Sequence, residues 1–181
     1  MAFKTTKGQG TFRIECEPYA LKNLLSTLNM LDKETQSRVR DAAQPLSKRL
    51  AGQIMMFGHS SPTPATALVL QSITTPRDRL IRVDVGGPKK VGRKYGQTAS
   101  KSGKGKKVGG TGAPAGALLW GSEYGSHPGV DSIGRAYTNR FGAPPRASGY
   151  WLNPAVEFYT PIVAQEYISI VQGIINDLEL N

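Results

Sequence analysis

Gly116-Ala117-Leu118-Leu119-Trp120-Gly121-Ser122-Glu123-Tyr124-Gly125 is the stretch on which the reading of the fold turns. It is short, apolar and aromatic, with Gly-rich sequence on both sides. Length and flanks argue for a strand rather than a helix. At a two-residue period Leu118, Trp120 and Tyr124 share one face, and Leu119 and Glu123 share the other. Gly121 leaves room for a close neighbour. The segment is expected to be an inner strand of a small sheet from which two large loops project.

Working outward, Leu80 to Val85 alternates, with Ile81, Val83 and Val85 on one face and Arg82 and Asp84 on the other. Ala67 to Thr74 is expected to be a further strand, and Arg77-Asp78-Arg79 a turn between the two. Near the start, Phe12, Ile14 and Cys16 alternate with Arg13 and Glu15, which predicts a strand with Cys16 as a small core residue. No crossover helix intervenes between Ala67 and Tyr124, so these strands are expected to be antiparallel.

Helical periodicity appears at the two ends. Pro18 can open a helix whose face is Leu21, Leu24, Leu25 and Leu28. Asp32 is a candidate N-cap for a second stripe: Val39, Ala42, Ala43, Leu46, Leu50, Ile54 and Phe57, ending at Gly58. Pro45 lies inside that stripe and is expected to kink it. Its opposite face carries Lys33, Arg38, Arg40, Lys48 and Arg49, a solvated face or a surface for an acidic neighbour. At the other end Asn153-Pro154 predicts a helix start, and Thr160-Pro161 a kink or restart. Ile162, Val163, Tyr167, Ile170, Val171, Ile174, Ile175 and Leu178 continue the apolar face. Tyr150, Trp151, Phe158 and Tyr159 are expected in the core. The fold class is therefore α+β: a small, mostly antiparallel sheet packed against an N-terminal kinked helix and a C-terminal helix, with two long loops.

Charge is concentrated in the first loop, Gly86 to Gly116. Lys89, Lys90, Arg93, Lys94, Lys101, Lys104, Lys106 and Lys107 lie there with no acidic residue, and supply most of the formal net charge of +10. Three readings stay open for it: a solvated hairpin tip, an arm that orders against neighbouring subunits, and a contact with a phosphate backbone. Its Gly-x-Gly pieces lack the spacing of a phosphate loop. Tyr95 is its one aromatic residue, weak support for base stacking. The second loop, Ser126 to Ser148, holds His127-Pro128, Arg135, Arg140, Phe141, Pro144-Pro145 and Arg146.

A chain of 181 residues is expected to be one domain, with Met1 to Gly10 as a flexible arm. Its hydrophobic fraction of 39% leaves a modest core. The single cysteine excludes an internal disulfide and fits a reducing compartment. Met1 to Gly10 is polar, so no signal peptide is expected, and no apolar run approaches the ~20 residues that span a bilayer. Gly58-His59-Ser60-Ser61-Pro62 only approaches a nucleophile elbow, because proline stands where the second glycine belongs. His59 and His127 are the only histidines, and no carboxylate pair stands out. No enzyme activity, metal or cofactor is expected.

Several of these pieces occur in a familiar order: Ala42-Ala43-Gln44-Pro45-Leu46, the strands, then Leu118 to Gly125, then Arg140-Phe141, then Gly149-Tyr150-Trp151-Leu152-Asn153-Pro154-Ala155 leading into a terminal helix. Over residues 12–178 this resembles the tail-component family of long-tailed bacteriophages, whose members sit at the neck or act in tail completion. The resemblance implies an α+β structural subunit of the head-to-tail connector, placed in the virion after assembly in the host cytoplasm. It implies a ring of copies, taken as six, adjacent head-connector and tail proteins as partners, and genomic DNA in the channel. Trp120, Tyr124, Phe141, Tyr150 and Trp151 become candidate subunit-interface or core aromatics, and the eight basic residues candidate DNA or partner contacts. The alternative is a basic nucleic-acid-binding protein that grips phosphates through residues 86–116.

Overall fold

A computed structural model describes residues 11–16, 33–92, 112–130, 136–137, 141–145 and 148–179. The expected arm at 1–10, the helix expected from Pro18, the Asp32 cap and the centre of the basic segment, 93–111, lie outside these residues, as does the side chain of Cys16.

Strand β1 (Thr11–Cys16) pairs antiparallel with β2 (Ile81–Gly86), Phe12 opposite Val85 and Ile14 opposite Val83. Alternation sends Phe12, Ile14, Ile81, Val83 and Val85 into the core. The other face is an ion cluster: Asp84 accepts from Arg13 Nε at 3.0 Å and from Arg82 Nη2 at 2.8 Å. Helix α1 (Lys33–His59) lies against β2 and buries Val39, Ala43, Leu46, Leu50 and Ile54, the stripe expected from sequence. It runs unbroken through Pro45, which is exposed, so the Asp41 carbonyl deprived of a donor can turn to water.

The terminal helix, numbered below as α4 (Leu152–Glu179), packs along α1. Arg38 meets Asp177 at 3.4 Å, Arg49 forms a two-point pair with Glu166, and Phe57 meets the Tyr159 ring edge-on at 6.0 Å. These pairs rise on one helix as they fall on the other, so the helices are antiparallel. Two arginines of the expected solvated face thus reach sideways to α4. Tyr167 is fully buried, and its hydroxyl donates to the Arg79 carbonyl. Of the kink or restart expected at Thr160-Pro161, no restart occurs: α4 continues across it.

Two expected strands are helices. Thr66–Leu70 forms the short α2, after which Thr74 makes a single antiparallel bridge to Asp84. The stretch expected to be the inner strand is helix α3 (Ala115–Tyr124). Its buried residues, Ala115, Gly116, Leu118, Leu119, Ser122 and Glu123, recur at three and four, the helical period. The two-residue reading grouped Trp120 with Leu118, whereas Leu118 is buried and Trp120 faces out. Among the described residues the expected sheet therefore keeps two strands, β1 and β2, with the single Thr74 bridge beside them. The ends of the basic segment instead form a separate antiparallel pair, β3 (Lys90–Val91) with β4 (Ala113–Pro114). Within the second loop β5 (Gly129–Val130) pairs with β6 (Ala136–Tyr137). The class remains α+β, with the antiparallel strands fewer and the helices more numerous than expected.

Candidate functional site

The first N–H groups of any α-helix lack a partner within the helix. In α4 they are held by a side chain from another element. Glu123, near the end of α3, accepts from Trp151 N at 3.2 Å and Leu152 N at 2.8 Å through Oε2, and from Asn153 N at 2.9 Å through Oε1. A carboxylate there also faces the positive end of the helix dipole. The Glu123 carbonyl accepts from Tyr150 N at 2.9 Å. Gly149 lies so close that a Cβ would fall on the Glu123 carboxylate, so only glycine fits. Glu123 is 1% exposed. Burial pushes its carboxyl above the ordinary value, and the three amide donors pull against that shift.

Around this joint the other candidates take their places. Gly121 sits against the Phe141 ring, which a Cβ would approach to 2.7 Å. The Phe141 carbonyl accepts from Thr63 Oγ1 at 3.0 Å, which ties the second loop to the segment after α1. The Tyr150 hydroxyl donates to the Ala143 carbonyl, and Trp151 is fully buried. Phe141, Tyr150 and Trp151 are therefore parts of the body. Phe158, expected in the core, is 63% exposed.

Trp120 and Tyr124 stand apart. One turn separates them on the outward side of α3, where their rings stack 5.6 Å apart and within 14° of parallel. Phe12 abuts Trp120 edge-on at 6.4 Å, and Asn153 Nδ2 donates to the Tyr124 hydroxyl at 2.6 Å. Asn153 Nδ2 also donates to the Ser148 carbonyl at 2.8 Å, so the expected cap residue braces the aromatic pair while Glu123 does the capping. The result is a ledge with Trp120 46% exposed, steadied from β1 and from α4. It carries no charge and suits an apolar protein surface.

Of the basic candidates, Lys89 and Lys90 are described. Lys89 donates to the Gln71 carbonyl and borders an open groove of about 480 Å³ with Thr11, Arg13, Thr74 and Asp84. Lys90 is exposed and lies opposite Pro114 in the β3–β4 register. Arg93, Lys94, Lys101, Lys104, Lys106 and Lys107 lie outside the described residues. Among the described residues no three metal-ligating side chains converge. No described helix is long and apolar enough to cross a membrane.

Compared with known protein families, with curated proteins and with solved structures, the chain matches none.

Proposed function

We propose that this protein is a structural subunit of a bacteriophage head-to-tail connector, a neck or tail-completion ring that joins the head connector to the tail around the DNA channel. The observation that carries the reading is the Glu123 joint. The two segments that carry most of the family resemblance, Trp120 to Gly125 and Gly149 to Pro154, are one physical unit, locked by three N–H hydrogen bonds to a buried carboxylate. That unit presents the Trp120–Tyr124 ledge outward, as a subunit that meets its neighbours through a fixed apolar contact would. Copies meet head to tail, which closes into a ring, six-fold in this proposal. The basic segment faces DNA or acidic partners, and the chain carries no catalytic role.

Mass spectrometry of purified particles, with electron microscopy of the isolated protein, tests this. The expected result is the chain in the neck and ring-shaped assemblies. Its absence from particles would overturn the proposal. Binding to short duplex DNA that falls steeply with salt, in a protein missing from particles, would favour the nucleic-acid alternative.

A further inference from the structure

The outward side of α4 is unusual for so charged a chain. Phe158, Ile162, Gln165, Ser169, Gln172 and Asn176 are all exposed and follow one another at steps of four and three, the spacing of a helix-packing seam. No charge falls on this strip, although the chain carries 23 basic and 13 acidic residues. Of the acids that border it, Glu166 and Asp177 on one side are paired to Arg49 and Arg38 of the same molecule, and Glu157 lies on the other side. Phe158 and Ile162 are 63% and 48% exposed, although each is large and apolar.

Gly173 supplies the second observation. It lies inside α4, is exposed, and has nothing within 4 Å of where a Cβ would stand. Among the described residues nothing requires glycine there, and glycine costs a helix about 1 kcal/mol relative to alanine. A missing side chain beside the seam becomes useful when another backbone comes close.

We propose that this strip packs antiparallel on the same strip of a second copy, about a two-fold axis near the middle of α4. In that register Ile162 rests over Gly173 of the partner subunit, and Phe158 lies against Asn176 of the partner subunit. Gln165 meets Ser169 of the partner subunit and can exchange a hydrogen bond with it. The strip opens with two bulky apolar residues, Phe158 and Ile162, and continues with small or polar ones, so its own reversed copy complements it. Charge points to the same occupant. Two copies with a net charge of +10 repel, and this strip lets them meet without opposing cations. A nucleic acid would find no cation on it. The contact is two-fold, distinct from the head-to-tail contacts of the proposed ring.

The test is the mass of the full chain in solution, by light scattering over a concentration series into the high micromolar range. The expected wild-type result is a dimer, or a two-fold stack if rings form. Gly173→Arg should halve that mass with an unchanged far-ultraviolet circular dichroism spectrum, since its side chain enters open space. Gln165→Arg, also at an exposed position, should do the same and stands in if the first variant folds poorly. With Cys16→Ser, the pair Ile162→Cys and Gly173→Cys should cross-link copies on mild oxidation, whereas Lys48→Cys should not. A monomeric wild type at every concentration, or a mass unmoved by both charge insertions, overturns the inference. A ring whose mass ignores both variants would overturn it and leave the connector reading standing.

Discussion

Replacing Glu123 by alanine would leave three amides at the start of α4 without their acceptor. Loss of a helix cap costs about 1–2 kcal/mol, and the burial of this one places the expected loss at about 2 kcal/mol or more in urea unfolding. Gly149→Ala should cost about 3 kcal/mol, because its methyl group must displace that carboxylate. The pH dependence has a definite sign. Burial raises the Glu123 carboxyl above 4.5, so the folded state holds this proton more tightly than the unfolded chain does. The resulting stabilisation is full below pH 4.5 and is lost as pH rises through the folded value. Wild type should therefore lose stability relative to Glu123→Gln over that rise, and parallel pH profiles would contradict it. None of this was legible from residue types. Glu123 binds backbone amides from residues 151–153, and a backbone amide has no letter in a sequence. Asn153 looked like the cap because it has the right side chain at the right place, but a stronger acceptor arrives from α3.

At the scale of elements, legibility followed length. In α1 and α4 the apolar stripe repeats over many turns, and β1 and β2 alternate without interruption, so four elements could be read from their periods. Helix α2 has five residues, too few to show a period. Helix α3 hides its period because two of its inward residues, Ser122 and Glu123, are polar, and because Trp120, the largest residue, points out. Thr160-Pro161 was read as a kink or restart because proline removes one backbone bond, and the packing of α4 on α1 carries the helix across without a restart. Pro161 is exposed inside the helix, so Pro161→Ala should restore the bond to the Glu157 carbonyl. A gain of about 1–3 kcal/mol is expected, measured as a raised midpoint in thermal unfolding. An unchanged or lowered midpoint would mean that proline holds a bend the body needs.

For the whole molecule, the α+β class could be read from the order of its elements, but the layout of its surface could not. Phe158 has the chemistry of a core residue and the helical position of a surface one, and position decided. Trp120 was grouped with inward residues for the opposite reason. These exposures give the assembly reading a direct test. Trp120→Ala removes ledge and little else, so the isolated chain should lose only about 1 kcal/mol of stability. Incorporation into particles should nevertheless fall severely, as counted by mass spectrometry. Incorporation at the wild-type level would remove the ledge from the subunit contact.

Helix α4 closes the structure, and it lies more than a hundred residues after the α1 arginines it pairs with. During synthesis, Arg38, Arg49 and Phe57 must therefore leave the ribosome long before their partners on α4 exist. Glu123 emerges ahead of the amides it will hold, so the docking point is made before the helix that docks. A chain cut short before Leu152 would leave the α4 side of α1 bare, a ready substrate for chaperones and proteases.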